Sequence, residues 1–288
     1  MQYTYYDEQT KEGFRMKLKN LSLQPTVLLA ELLGTFVLTT VALVTQGNLI
    51  ILGFTLIVLV LSIGAVSGAH VNPAVTFGLW STRKLETVKV PFYWIMQFTG
   101  ALLALLLVQW FKGSGAGITF DFNHFDARLV VAEIAGTAAF TFAIAAALQY
   151  KLSESAKALC IGFGLLVGLA IGGGLIGQAA QSPALLKSAK DGQTPRVADV
   201  DGAVINPAIA LAVTNKDPQQ QQSSLQSMGA EATTKSPASR LTWETIVGPL
   251  IGGVIGMNLA LITAGVNPFK KDESVKAKVT KVFKKGKK

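Results

Sequence analysis

The tripeptide Asn-Pro-Ala occurs twice in this chain, as Asn72, Pro73 and Ala74 and as Asn206, Pro207 and Ala208. Asn is a preferred N-cap and proline is preferred at the first helical position, so each copy is a well-made helix start that leaves a side-chain amide at the head of the helix. The helices that follow, Ala74 to Trp80 and Ala208 to Val213, are too short to cross a bilayer, which takes roughly 20 residues. A helix N-terminus carries about half a positive charge. An amide donor there suits a neutral solute with an accepting oxygen and opposes a cation. Two carboxylates, Glu31 and Glu133, lie within apolar segments, and a charged group in that setting is expensive enough to be a functional candidate. As a proton or cation relay they would stand in the conduction path; as anchors they would accept backbone N–H groups from nearby loops.

The elements that hold these residues are apolar. Half of the 288 residues are hydrophobic and only 15% are charged, with the apolar residues in long blocks. Six blocks have spanning length: Val27 to Val44, Leu49 to Val66, Val90 to Phe111, Leu129 to Leu148, Ala158 to Leu175 and Thr245 to Ala264. Glu31 and Glu133 are the charged side chains well inside these six blocks. An even number of spans puts both termini on one side. With the termini cytoplasmic, that face receives 18 of the 26 basic residues, as the positive-inside rule requires. The net charge of +9 is thus mostly a cytoplasmic surface feature and gives no reason to expect nucleic-acid binding. A single cysteine, Cys160, allows no intramolecular disulfide, and two histidines, His70 and His124, supply no metal-ligand spacing. No cofactor, metal site or catalytic constellation is expected.

The chain also repeats itself. AELLGT at Ala30 to Thr35 recurs as AEIAGT at Ala132 to Thr137, and each copy opens a block of three spans with one Asn-Pro-Ala element. Two three-span halves must sit in the membrane with opposite orientation, and a pseudo-two-fold axis in the bilayer plane then sets the two short helices face to face. The expected fold class is all-α integral membrane, with six transmembrane helices and two re-entrant half-helices in an inverted 3+3 repeat. The stretch from Glu133 to Asn206 exceeds that from Glu31 to Asn72, so the second half carries inserted loop. Residues 181–202 are polar and punctuated by Pro and Gly, and 215–240 are polar and low in complexity, which favours solvated linkers on the outer face.

Irregular backbone at membrane depth survives where it is buried in protein or lines an aqueous cavity. The carbonyls of Gly68, Ala69, His70 and Val71, and of Gly202, Ala203, Val204 and Ile205, therefore have the makings of acceptors along a path. A water that accepts from both asparagine amides turns its hydrogens outward, which interrupts the chain of hydrogen bonds that protons would follow.

With these motifs in view, the chain resembles the aquaporins of the major intrinsic protein family over roughly Leu28 to Ala264. The resemblance is carried by AELLGTF, SGAHVNPAVTFG, AEIAGTAAF, GAVINPA and VGPLIGG. It implies six tilted helices and two half-helices around one pore per subunit, a homotetramer, and passive passage of water, with small neutral solutes such as glycerol as a further option, although Ala210 stands where glycerol-conducting relatives usually carry an aspartate. Together with the repeat symmetry it favours Glu31 and Glu133 as loop anchors. It also implies an outer filter of four side chains, which fall here on Leu52, Leu169, Ala203 and Ile209. Most of the family has an arginine where Ile209 stands. The four residues present make an apolar constriction with no fixed charge and no strong donor, open to polyols or closed by its leucines. The domains expected are a cytoplasmic segment over 1–24, a channel domain over 25–267 with repeats at about 27–111 and 129–264, and a basic cytoplasmic tail over 268–288 that attracts anionic lipid. The cell membrane is the expected location. The alternative is a closed or ion-leaking relative with a structural or adhesive role.

Overall fold

The computed structural model describes residues 24–113, 118–123, 125–183, 196–216 and 238–267. The N-terminal segment before Gln24, His124, the basic tail and the greater part of both polar loops lie outside the described residues. Within them the protein is helical, with two isolated bridges at Ser239 in place of any strand. The helices are α1 (Pro25–Val44), α2 (Leu49–Ser67), α3 (Pro73–Ser81), α4 (Val90–Lys112), α5 (Ala127–Gln149), α6 (Glu154–Ala180), α7 (Pro207–Ala212) and α8 (Trp243–Thr263). All but α3 and α7 are long and apolar enough to span a membrane.

Local chemistry sets the ends. Pro25 occupies the first turn of α1. The Asn48 side chain caps α2 by accepting from the N–H groups of Ile50 and Ile51 at 3.1 and 3.2 Å. Gly68 ends α2 in the left-handed region at φ 89°, which a glycine enters without a Cβ clash. The chain thereby turns back toward the bundle interior instead of leaving it. Helix α6 is longer than the apolar block that announced it, because Ser153 accepts from Ala156 N–H and starts the helix below the first apolar residue.

Packing repeats between the halves. Helix α1 packs on α2 and α4, as α5 packs on α6 and α8; α3 lies against α8 of the other half, and α7 against α4. Small residues set the closest approaches. A Cβ on Gly100 of α4 would collide with the Leu32 carbonyl of α1, and its counterpart on Gly252 of α8 would lie 2.6 Å from the Ile134 carbonyl of α5, with Gly256 one turn on closer still to the Ala138 carbonyl. Backbone contact of this kind drives association where helices gain little from the hydrophobic effect. The opposite faces, with Leu29, Leu33 and Val37 on α1 and Phe54, Val58 and Leu61 on α2, are exposed and apolar, as a lipid-facing surface must be.

Candidate functional site

Helices α3 and α7 begin at their prolines, and each is capped by the asparagine before it. Asn72 Oδ1 accepts from Ala74 N–H at 2.8 Å; Asn206 Oδ1 accepts from Ala208 and Ile209 N–H at 3.0 and 3.4 Å. The amide nitrogens reach across to the other half. Asn72 Nδ2 donates to the Ile205 carbonyl at 2.9 Å, and Asn206 Nδ2 donates to the Val71 carbonyl at 3.0 Å. Both asparagines are 2% exposed, so the two half-helices meet head to head inside the protein.

The carbonyls that accept these amides are turned by their backbone. Val71 and Ile205 have φ of 42° and 48°, in the left-handed region that β-branched residues avoid. Such a conformation persists where the surroundings hold it. The hold comes from the two glutamates. Glu31 accepts from His70 and Val71 N–H at 3.0 and 2.8 Å and from the Gln97 amide at 2.8 Å. Glu133 accepts from Val204 and Ile205 N–H at 2.9 and 2.7 Å. Each carboxylate is fully buried and bound to the irregular backbone just ahead of one half-helix. His70 also contacts Thr76 Oγ1 through Nδ1 at 3.2 Å and packs against Tyr93, the rings tilted by 35° with centroids 4.7 Å apart.

A cavity of about 610 Å³ runs from the long-loop face down to Asn72 and Asn206. Leu52, Leu169, Ala203 and Ile209 all line it, as do His70, Val71, Gly202 and Val204. Gly68, Ala69 and Ile205 are not part of its wall. Three of the carbonyls expected as acceptors along the path have protein donors: those of Val71 and Ile205 take the opposing asparagine amides, and that of Gly202 takes a guanidinium. A carbonyl oxygen has two lone pairs, so each keeps capacity for a solute.

That guanidinium belongs to a residue outside the four assigned to the constriction. Arg240, 34 residues beyond Asn206, lines the same cavity as Ile209 and donates from Nη1 to the Gly202 carbonyl. Its Nη2 lies 3.8 Å from Glu133 Oε1. The end of the polar 215–240 stretch is therefore buried and structured, not solvated. Ser239 explains why: its hydroxyl donates to the carbonyls of Ala210 and Leu211 at 3.1 and 2.9 Å. It satisfies the end of α7, where helical carbonyls lack partners. The Arg240 N–H then donates to the Val213 carbonyl at 2.9 Å. An arginine directly before a membrane span was the available sign in the sequence.

Glu244 is a further buried acid, outside the six apolar blocks. It is a third fully buried glutamate, in the first turn of α8, one residue ahead of the apolar block as read. It accepts from Asp126 N–H at 3.0 Å and lies 3.6 Å from Arg196 Nε. Asp126, which caps α5, takes two side-chain bonds from Arg128 at 2.9 and 2.8 Å. Burial pushes the Asp126 carboxyl up, but the Arg128 bonds and charge, with the Val197 N–H, outweigh this and hold it below the usual carboxylate value. Asp201 also lines the cavity mouth, 3.6 Å from Lys216 Nζ. Among the described residues no cluster of metal-ligating side chains occurs.

Comparison with known proteins places this arrangement. The chain is 30% identical over 168 residues to Aquaporin Z of Photorhabdus laumondii, covering 49% of this chain and 73% of that protein. It is 34% identical over 140 residues to Aquaporin TIP1-2 of Musa acuminata, covering 46% and 54%, and 31% identical over 121 residues to the probable aquaporin TIP3-2 of Oryza sativa, covering 41% and 46%. The matches thus span about half the length of most of these relatives. In fold, the chain resembles the X-ray structure of the aquaglyceroporin from Plasmodium falciparum, with a TM-score of 0.52, 20% identity, and coverage of 83% of this chain and 97% of that one. The family model for the major intrinsic protein matches residues 28–185, a stretch that includes Asn72 and stops short of Asn206. With six membrane-spanning helices and more than half of its length inside that match, this chain is an integral membrane protein that belongs to the major intrinsic protein family.

Proposed function

We propose that this protein is a passive transmembrane conduit for water and for small neutral solutes such as glycerol, with ions and protons excluded where the two half-helices meet. The reading rests on the asparagine pair. Each asparagine commits its oxygen to its own helix and one N–H to the opposite loop, which leaves one amide N–H apiece at the inner end of the cavity. A solute oxygen accepting from both is held with its own hydrogens pointing away, and the half-helix dipoles oppose a cation at the same depth. No bond of the solute is made or broken on this reading. The names of the similar proteins support the solute class. The exposed apolar faces suit lipid and further subunits, in keeping with a homotetramer in the cell membrane with both termini cytoplasmic.

The test is light scattering from proteoliposomes of the purified protein under an osmotic step. With sucrose outside, shrinkage faster than that of empty liposomes is expected; with glycerol, re-swelling follows. Shrinkage no faster than that of empty liposomes, with the protein inserted and folded, would reject the conduit.

A further inference from the structure

We propose that Arg240 is the specificity-determining residue at the long-loop end of this passage, supplying from the segment before α8 the fixed donor and positive charge that Ile209 does not. The inference rests on the conduit reading above and deepens it. Three observations carry it. Arg240 lines the cavity together with Ile209 and Ala203, and its hydrogen bond goes to Gly202, the residue next to Ala203. Its position is imposed by the α7 end itself: Ser239 caps the Ala210 and Leu211 carbonyls, and Arg240 N–H binds the carbonyl of Val213, the C-cap of α7. Finally, the guanidinium carries five N–H donors in a planar fork. One is used on Gly202, so others remain for a solute oxygen at the cavity wall.

The second half-helix thus gains an arginine at its side through a folded-back segment instead of through its own sequence. The guanidinium narrows the opening beside Ala203, where a methyl group alone would leave it wide, and it replaces part of the hydration that a water sheds there. The carboxylate of Glu133 lies within ion-pair distance but is already engaged by Val204 and Ile205 N–H groups. It fixes the guanidinium in place without removing the donors that face the cavity. A neutral molecule small enough to pass the fork is admitted, and a cation meets a positive group before it reaches the half-helices.

The experiment compares wild type, R240Q, R240K and the double variant R240Q/I209R in proteoliposomes, reading the ratio of glycerol to water permeability and, separately, potassium leak with a voltage-sensitive dye. In R240Q the ratio rises several-fold and potassium leak appears. In R240Q/I209R, with a guanidinium restored at the head of α7, both return toward wild type, which a purely structural role for Arg240 would not produce. An unchanged ratio in folded R240Q, or a raised ratio that I209R leaves in place, overturns the proposal while the conduit stands. Should R240Q not fold, R240K carries the test: it keeps a charge beside Glu133 but loses the fork, so the ratio rises without leak, and an unchanged ratio overturns the proposal. Wild type without water flux rejects the conduit and this proposal with it, an outcome distinct from the others.

Discussion

Asn206 donates its amide to the carbonyl of Val71 at 3.0 Å, across 135 positions of sequence, and Val71 presents that carbonyl by standing at a φ of 42°. The mirrored bond from Asn72 to Ile205, at 2.9 Å and with φ 48° at its acceptor, makes the centre a reciprocal clasp. Asn206→Asp keeps the helix cap, because an oxygen remains, but turns the cross-bond donor into an acceptor. It leaves the Val71 carbonyl unpaired, at a cost of about 1–3 kcal/mol, and adds a negative charge where the helix dipoles favour one. Lower thermal stability together with a new cation leak in liposomes is expected. A variant as cation-tight as wild type would refute the electrostatic role of this residue.

Glu31 and Glu133 are symmetric in sequence but not in their partners. Both accept two backbone N–H groups, yet only Glu133 has an arginine in ion-pair range among the described residues. Glu31→Gln sets an amide against an N–H donor and costs about 1–3 kcal/mol. Glu133→Gln also strips the counter-charge from buried Arg240, for which about 3–5 kcal/mol is typical. Thermal unfolding in detergent should therefore show the larger loss for Glu133→Gln. Equal losses would remove the ion pair from the account.

Helix contact through glycine gives a prediction about stability alone. Gly256→Ala drives a methyl group into the Ala138 carbonyl, a backbone atom that cannot swing aside, and overpacking of this kind costs about 1–3 kcal/mol. Gly174→Ala meets nothing within 4 Å and should be neutral or stabilising by about 0.5–1 kcal/mol, the usual helical preference for alanine. An unfolding midpoint that falls in Gly256→Ala and does not fall in Gly174→Ala would establish the close approach. A harmless Gly256→Ala would exclude it.

Acid should act through Asp126. Its folded carboxyl is held below the unfolded value of 3.8 by Arg128 and the Val197 N–H, so the stability it contributes is full above that value and is lost as pH falls through the folded one. Wild type should keep its unfolding midpoint from neutral pH down to about 5 and lose part of it below 3.8. Asp126→Asn keeps an oxygen for the cap but loses the ion pair with part-exposed Arg128, so it should begin lower by up to about 1 kcal/mol and lack that share of the acid-dependent loss. Identical acid profiles would show that Asp126 is not the group involved.

The parts legible in the sequence were those that the chain states twice. Six apolar blocks, two Asn-Pro-Ala elements and two glutamates at matching places define the fold and the centre, because each copy constrains the reading of the other. Two of the features that escaped have no counterpart in the first half. Arg240 lies in a polar stretch of low complexity, and its burial depends on Ser239 meeting the end of α7, a contact that no local pattern encodes. Glu244 sits one residue ahead of the apolar block and reads as a loop acid until the cap at Thr242 starts α8 ahead of it. The left-handed backbone of Val71 and Ile205 was hidden too, since β-branched residues argue for extended chain and only the carboxylates beneath them override it.

The cross-bonds at the centre also bear on how the chain is made. Asn72 and Val71 are synthesised long before their partners, which lie 133 and 135 positions later. Until the second half-helix enters, the first presents an amide and a carbonyl with no mate at membrane depth. Each repeat is thus an unfinished surface that the other completes. An emerging chain has reason to hold its first three spans loosely, in contact with water or an insertion partner, until Asn206 arrives to close the middle.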